Sequence, residues 1–128
     1  DSTYRDMIEE STTWYLGTVD DGTSYKLAKY TDTSMSNETT STTSAKVGLL
    51  RMGELMSGQF DRYGNNRTYW TLTPNGSSYV WFVYNDGYAS NISPDYAYGV
   101  RPSLNLKQNV VITGGTGTKS DPFTVALS

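Results

Sequence analysis

The sequence predicts one α+β domain in which a twisted antiparallel sheet carries one or two short helices and long loops. The 128 residues suit a single domain with a modest core. Short runs of aromatic and β-branched residues recur along the chain, and turn dipeptides such as Asn75-Gly76 and Asp86-Gly87 separate them. Helical periodicity, in contrast, extends over only a few residues.

The N-terminal segment predicts a short helix. Ser2 or Thr3 can cap it. Tyr4, Met7 and Ile8 follow the i, i+3, i+4 spacing of one apolar stripe. The residues after this stripe change to types that favour strands.

Two strands and a long loop are expected next. The strands are "TTWYLGTV" and "SYKLAKYT", and Asp20 to Gly22 between them predict a hairpin turn. The stretch from Thr31 to Ser44 has almost nothing to bury, so it cannot offset the entropy of its own ordering. We expect it to be a solvated surface loop.

The rest of the chain predicts more strands than helices. A short buried strand is expected from Val47 to Leu50, and a brief helix from Met52 to Met56 that Gly58 ends. "RTYWTLTP" predicts a strand ending at Pro74, and "NGSS" a turn into the return strand "YVWFVYN". "GVRPSLNLK" is interpreted as a strand that enters the core. "NVVITGG" and a final strand in "PFTVAL" follow it.

Composition argues against several classes of function. The net charge is -3 and the basic residues are scattered singly, so nucleic acid is not an expected partner. The chain has no cysteine and no histidine, which excludes disulfides, zinc sites built on these residues, and Ser-His or Cys-His catalysis. No run approaches the ~20 apolar residues of a membrane span, so no transmembrane segment is expected in this chain.

Neither catalysis nor a cofactor is predicted. The carboxylates lie in apparent turns and form no recognisable acid/base pair. Asn85, Asp86, Asn91 and Asp95 have the oxygen atoms that calcium prefers, but they lack an EF-hand register. Clusters of this kind are typical of turns, so we expect no metal site.

Five residues are expected to serve the architecture. Trp14, Trp70 and Trp81 lie in strand-like segments and are expected to fill the core; the alternative is a sugar-stacking platform with an exposed indole face. Arg101 lies in a segment expected to be buried, where a guanidinium needs an acceptor. Glu54 is its predicted partner, and breaking one side of such a buried pair costs about 3–5 kcal/mol.

The stretch from Tyr84 to Tyr98 has the composition of a binding loop. Tyr, Ser and Asn dominate it, and tyrosine supplies a large contact area at small entropic cost. The alternative is that the tyrosines only pack the loop onto the sheet. We favour this alternative for any single tyrosine and the binding interpretation for the group. The candidate ligand contacts are Tyr84, Asn85, Asp86, Tyr88, Asn91, Asp95, Tyr96 and Tyr98.

Five segments in order resemble a family of bacterial surface domains that is common in Gram-positive bacteria and their wall-less relatives. They are "VGLLRMGELMSG", "YWTLTP", "VWFVYNDGY", "YGVRPSLNLK" and "GGTGTKSDPFTV", and the resemblance is best over Lys46 to Leu127. The family is similar to the C-type-lectin-like fold, and distantly to formylglycine-generating enzymes and to variable proteins of diversity-generating retroelements. The enzymatic relatives depend on cysteines and the calcium-dependent lectins on a Glu-Pro-Asn-type triplet. Neither feature occurs here, so neither activity is carried over.

The resemblance implies a non-enzymatic binding or adhesion module that is displayed outside the cell, on a bacterial surface. The loop from Tyr84 to Tyr98 would contact a host or cell-surface glycan or protein. The alternative is the soluble head of a pilin-like filament subunit, whose partners are identical subunits and whose N-terminal helix would leave "TYRDMIEES" as its remnant. Both interpretations expect an anchor or a further region upstream. A carbohydrate-active enzyme ranks third.

Overall fold

Ten short strands and two short helices occur in the residues that this computed structural model describes, which are 2–19, 25–26, 41–57 and 67–128. The helices are α1 (Ser2–Arg5) and α2 (Met52–Ser57). The strands are β1 (Thr12–Tyr15), β2 (Tyr25–Lys26), β3 (Thr42–Ala45), β4 (Gly48–Leu49), β5 (Tyr69–Asn75), β6 (Tyr79–Val83), β7 (Tyr88–Ile92), β8 (Pro102–Ser103), β9 (Val110–Gly114) and β10 (Thr124–Leu127). Within these ranges no helix has the length and apolar character needed to cross a membrane.

The named strands pair antiparallel in one four-stranded sheet and three two-stranded sheets. The larger sheet has the order β2-β7-β6-β5, and the smaller ones pair β1 with β3, β4 with β8, and β9 with β10. The prediction of mainly antiparallel strands with a few short helices is therefore confirmed, and it fits a mainly-β or an α+β domain. The expectation of a single sheet is wrong for the described residues, because six of the strands pair outside the larger sheet.

The N-terminal helix is shorter than predicted. α1 covers four residues, Tyr4 is exposed, and only Met7 of the predicted apolar stripe is buried. Beyond α1 the backbone bonds to a distant segment instead. The Lys107 amide donates to the Met7 carbonyl at 2.9 Å, and Ile8 pairs with Leu106 in an antiparallel bridge. These long-range bonds use backbone groups that a longer helix would need.

The hairpin predicted after this helix is wrong in its pairing. β1 pairs with β3, so that Trp14 lies opposite Thr43, and β2 pairs with β7. The loop predicted to end at Ser44 is therefore a strand from Thr42 onward. Its three hydroxyl-bearing residues are exposed, and threonine is compatible with a strand once a partner strand is present. The predicted turn at 20–22, most of the predicted loop and the helix stop at Gly58 lie outside the described residues.

Local predictions hold in the middle of the chain, where α2, β5 and β6 occur as expected. Two predictions of burial are wrong. Val47 is exposed, and the segment interpreted as a core strand contains only the two residues of β8, with Val100 and Leu104 exposed on either side. β8 pairs with the equally short β4, and the exposed Val47, Val100 and Leu104 lie outside both strands.

The main core lies on one face of the four-stranded sheet, against α2. Trp81 is fully buried, and its indole N–H donates to the Val19 carbonyl at 2.9 Å. α2 is fixed to β5 because the Met52 amide donates to the Thr73 hydroxyl oxygen at 2.9 Å. The buried cluster consists of Val19, Met52, Leu55, Tyr69, Trp81, Val83 and Ala89.

A second packing centre joins β1, β3 and β4 around Trp14, which is buried and donates its indole N–H to the Ala45 carbonyl at 2.8 Å. Gly48 lies directly against the ring, since a Cβ there would be 2.5 Å from an indole carbon. Nearby, the Lys46 ammonium donates a hydrogen bond to the Glu10 carboxylate and forms an ion pair with it. The hydrogen bond and the positive charge of Lys46 lower the pKa of Glu10 below its usual range. The pair is open to solvent and adds little stability.

Candidate binding surface

The four-stranded sheet has two faces of different character. Along β6, Trp81 and Val83 belong to the core cluster, and Phe82 between them lies on the opposite face because side chains alternate along a strand. In the strand register, Phe82 is opposite Trp70 of β5 and Ser90 of β7. Aromatic rings collect on this second face.

Five aromatic residues form a continuous cluster there, which we call the aromatic patch: Trp70, Phe82, Tyr84, Tyr96 and Tyr98. Phe82 is buried, and its ring centroid lies 4.6 Å from that of Tyr84 and 5.0 Å from that of Tyr98. Tyr98 in turn lies 5.0 Å from Trp70, and Tyr96 stacks on Tyr98 at 6.0 Å. Edge-on, tilted and offset contacts at such distances are favourable for aromatic rings.

The aromatic patch is partly open to solvent. Tyr84 is 41% exposed and Tyr96 53% exposed, while Trp70 and Tyr98 are half-buried. Because neighbouring rings already hold these side chains, little conformational freedom remains to be lost when a ligand binds. Such a surface can stack against the flat apolar side of another ring and still offer hydroxyl groups at its rim.

A backbone bridge holds the tyrosine loop at the sheet edge. Gly99 pairs with Tyr69 in parallel: the Gly99 amide donates to the Thr68 carbonyl at 2.9 Å, and the Trp70 amide donates to the Gly99 carbonyl at 3.0 Å. Tyr98 directly precedes Gly99, so the bridge sets where its ring meets Trp70. The start of "GVRP" is therefore an anchor for the loop.

A tight turn positions Tyr84, as the Asp-Gly dipeptide predicts. The Tyr84 amide donates to the Tyr88 carbonyl at 2.7 Å, and the Gly87 amide donates to the Tyr84 carbonyl at 3.0 Å. Gly87 has a φ of 86°, which residues with a Cβ rarely adopt. The Asp86 carboxylate accepts from the Tyr88 amide at 3.0 Å and completes the turn.

An open groove of about 520 Å³ adjoins the aromatic patch. Two arginines, Arg67 and Arg101, are among the residues that line it, and none of the described lining residues carries a carboxylate. The guanidinium of Arg101 lies over the Tyr69 ring, 4.3 Å from its centroid. Tyr98 belongs to both the patch and the groove, so the two surfaces are continuous. The lining residues are Arg67, Thr68, Tyr69, Asn85, Ala97, Tyr98, Gly99, Val100 and Arg101.

A smaller cavity of about 260 Å³ meets the groove at the stacked Tyr69 and Arg101, which line both. Its other walls are mostly apolar and come from Leu50, Leu55, Trp70, Pro102 and Ser103. The surface thus offers aromatic, cationic and apolar elements side by side.

The structure brings together half of the predicted ligand contacts. Tyr84, Tyr96 and Tyr98 are in the aromatic patch, and Asn85 lines the groove. Tyr88 is exposed and lies, by strand alternation, on the same face of the sheet as Phe82.

The structure gives the three remaining predicted contacts other places or hydrogen bonds. Asn91 is opposite Trp81 in the register, which puts it on the core face of the sheet. Asp86 completes a turn, and Asp95 accepts from the Ser93 hydroxyl at 2.8 Å. In the described part of the chain, no group of three or more acidic side chains converges as metal ligands would. The predicted loop is also wrong in part, because its middle is strand β7.

Only some of the residues predicted to serve the architecture lie where they were expected. Trp14 and Trp81 are buried as expected, whereas Trp70 is half-buried and joins the aromatic patch. The expectation that Arg101 is buried is wrong, because its side chain is exposed. The cost expected for a buried ion pair therefore does not apply to it. Glu54 accepts from the Arg51 amide at 3.0 Å, and a contact between Glu54 and Arg101 stays a prediction.

Sequence reasoning missed several residues of this surface, among them Arg67, Thr68 and Phe82. The alternation in "YVWFVY" already places Phe82 and Trp81 on opposite faces, but it does not show which face is covered. Arg67 and Thr68 reach the site only through the bridge between Tyr69 and Gly99, a long-range contact with no local signal.

These features define a small domain of mainly antiparallel strands and a few short helices, with an aromatic surface beside a groove that two arginines help to line. The chain belongs to the family described as a domain of unknown function, DUF6273, whose sequence pattern matches residues 8–108. The matched range includes the aromatic patch and the groove, whereas β9 and β10 lie beyond it. No curated protein and no solved structure matches the chain.

Proposed function

We propose that the domain is a non-enzymatic binding module, displayed on a bacterial cell surface, that takes up a glycan on its aromatic patch. One observation carries the proposal: Tyr84, Tyr96 and Trp70 offer ring surface to solvent, the buried Phe82 packs against Tyr84 and Trp70, and Tyr96 stacks on Tyr98. A preformed apolar surface beside a few polar groups is typical of ligand sites. The adjoining groove supplies such polar groups, including Asn85.

The proposal includes a scaffold of the C-type-lectin-like kind. Two features support it: the N-terminal segment bonds to the segment near Leu106, and the tyrosine loop is anchored at Gly99 just before the last strands. The resemblance of the sequence to surface domains with this fold points the same way and supports the extracellular location. A crystal structure tests the scaffold, since a strand order foreign to lectin-like domains would overturn it.

A glycan array tests the binding function with the wild type and a variant that carries Tyr84→Ala, Tyr96→Ala and Tyr98→Ala. We expect the wild type to bind and the variant to lose about 30-fold or more in affinity, because truncating central aromatic anchors removes most of the stacking surface. The matched control carries Tyr4→Ala and Tyr79→Ala, two exposed tyrosines outside the patch.

The control is expected to bind as the wild type does. The melting temperatures of all three proteins show whether each is folded. Equal binding by the wild type and the patch variant would contradict the proposal.

A second candidate function is that of a subunit in an assembly of identical copies, as in pilin-like filaments. One observation favours it: β9 and β10 pair with each other as a two-stranded ribbon and expose Val111, Ile112 and Leu127, and Phe123 just before β10 is exposed as well. Isolated ribbons are only marginally stable in water, and open strand edges pair readily with further strands. Neither strand carries a charged residue that would discourage such pairing.

Sedimentation velocity over a range of protein concentrations tests this second function. If the ribbon joins copies, the wild type self-associates and Ile112→Lys shifts it to the monomer, because a lysine on the edge opposes strand addition. Tyr4→Lys is the matched control, as it also replaces an exposed apolar residue by lysine. A wild type that stays monomeric throughout would remove the support for an assembly role.

A further inference from the structure

The loop between β9 and β10 folds back onto the peptide bond that joins Asp121 to Pro122. The Asp121 carbonyl oxygen accepts two backbone hydrogen bonds, from the Thr116 amide at 3.1 Å and from the Thr118 amide at 3.2 Å. The Thr116 hydroxyl also donates to this oxygen, at 3.5 Å. Both residues of the bond are exposed. Three donors therefore converge on the carbonyl oxygen of one peptide bond that water can reach.

Two glycines give this loop its shape. Gly115 and Gly117 directly precede the two donor amides, and their φ values of 85° and 77° are ones that residues with a Cβ rarely adopt. Amides that converge in such turns form the concave anion sites known as nests. A Cβ on Gly115 would lie 2.1 Å from the Pro122 carbonyl oxygen, and one on Gly117 would lie 2.5 Å from a ring carbon of Phe123. The loop is therefore packed closely against the two residues that follow Asp121.

The backbone of Asp121 is held while its side chain is exposed. The Asp121 amide donates to the carbonyl oxygen of Thr118 at 3.2 Å and to its hydroxyl oxygen at 3.1 Å. The carboxylate and the carbonyl carbon belong to the same residue, so rotation about the side-chain bonds brings an oxygen to that carbon. Because the reaction is intramolecular, no second molecule has to be positioned.

The chemistry of an Asp-Pro bond suits this arrangement. Proline forms a tertiary amide, whose nitrogen is more readily protonated than that of an ordinary peptide bond and leaves as a secondary amine. Attack on the carbonyl carbon moves negative charge onto the oxygen and lengthens the C–O bond towards the donors. Preorganised donors stabilise this developing charge more than they stabilise the carbonyl of the intact bond.

We infer that the bond between Asp121 and Pro122 is a self-cleavage site. The Asp121 carboxylate attacks its own carbonyl carbon and forms a new C–O bond, and the Thr116 and Thr118 amides hold the oxyanion. The C–N bond to Pro122 then breaks as its nitrogen takes a proton from water, which leaves Asp121 as a cyclic anhydride. A water molecule opens the anhydride, so that the net reaction is hydrolysis of one peptide bond.

The cut would leave residues 1–121 and 122–128 as separate chains, with β10 held to β9 by strand pairing alone. It lies beyond residues 8–108, which match the family, and it does not depend on the glycan-binding function.

Mass spectrometry under denaturing conditions tests the inference. The folded protein is incubated at a mildly acidic pH together with a synthetic peptide of residues 118–124, "TKSDPFT", which has the same bond without the loop. We expect fragments 1–121 and 122–128 to form at least about 10-fold faster than the peptide is cut, because the converging donors stabilise the oxyanion. Asp121→Ala removes the attacking carboxylate and should abolish cleavage at this bond.

Gly115→Ala tests the role of the loop, because its Cβ would push the loop away from Pro122. We expect its cleavage rate to fall to that of the peptide. The matched control is Gly76→Ala, which replaces a glycine of positive φ in the turn between β5 and β6 and should be cut as the wild type is. Melting temperatures show whether each variant is folded.

Three results would each overturn the inference. The first is a folded protein that is cut no faster than the peptide. The second is cleavage of Asp121→Ala at the same bond, and the third is a wild-type rate in Gly115→Ala. If Gly115→Ala does not fold, the comparison of the wild type with the peptide and with Asp121→Ala decides.

Discussion

Replacing Trp81 by alanine is expected to lower the free energy of unfolding by about 3–5 kcal/mol, a large part of the ~5–15 kcal/mol that stabilises a typical domain. Trp81 has no exposed surface and packs in the main core between β6 and α2. Its removal would leave a cavity that the surrounding strands can close only in part. The midpoint of urea unfolding, followed by far-UV circular dichroism, measures the loss.

Two further variants separate the contributions of Trp81. Trp81→Phe keeps most of the ring but leaves the buried Val19 carbonyl without the indole donor, so we expect a loss of about 1–3 kcal/mol. Tyr79→Ala lies on the same strand at an exposed position and should change stability by no more than about 0.5 kcal/mol. Equal unfolding midpoints for Trp81→Ala and the wild type would contradict the position of the core.

Gly48→Ala is expected to destabilise the domain by about 1–3 kcal/mol, as other insertions into a well-packed site do. The added Cβ would lie 2.5–2.7 Å from three carbons of the Trp14 indole. The indole cannot easily move aside, because it is buried and its N–H is bonded to the Ala45 carbonyl. Denaturant unfolding of the variant measures the cost.

The control for this prediction is a double-mutant cycle with Trp14→Leu, which removes the rigid ring from the contact. If the clash is with the ring, Gly48→Ala costs less in the Trp14→Leu background than in the wild type, and the two changes are not additive. Strict additivity of the two losses would contradict the packing of Gly48 against Trp14.

Local signals in the sequence were sufficient for the hairpin of β5 and β6 and for α2. Asn75 and Gly76 at the turn, alternating residues on both sides and the short apolar spacing after Met52 each act within a few residues. The pairing of β1 with β3, of β2 with β7 and of Ile8 with Leu106 could not be read in this way. Such pairs depend on which distant segment offers a free edge, and no local pattern records that.

The same limit applies to the binding surface. Composition was enough to suggest Tyr84, Tyr96 and Tyr98 as a group, since tyrosine-rich turns are typical of contact loops. It could not show that Phe82 and Trp70 lie beneath and beside them, because the register of β5 and β6 decides this. Asn91, which was predicted with the same group, lies on the opposite face of the sheet from Phe82, because a shift of one residue along a strand reverses the face.

The central claim is that the aromatic patch and its groove form the binding surface, and the indole N–H signals in a proton–nitrogen NMR spectrum test it most directly. The chain has three tryptophans, and those of Trp14 and Trp81 donate their N–H groups to backbone carbonyls in buried positions. Trp70 alone among them is a member of the patch.

The protein is titrated with trigalacturonic acid and, in a parallel experiment, with neutral chitotriose. The account predicts that the Trp70 signal shifts with at least one of these sugars, while the Trp14 and Trp81 signals stay in place. A Trp70 signal that stays fixed at millimolar concentrations of both sugars, or ligand-induced shifts confined to the amides of β9 and β10, would contradict it.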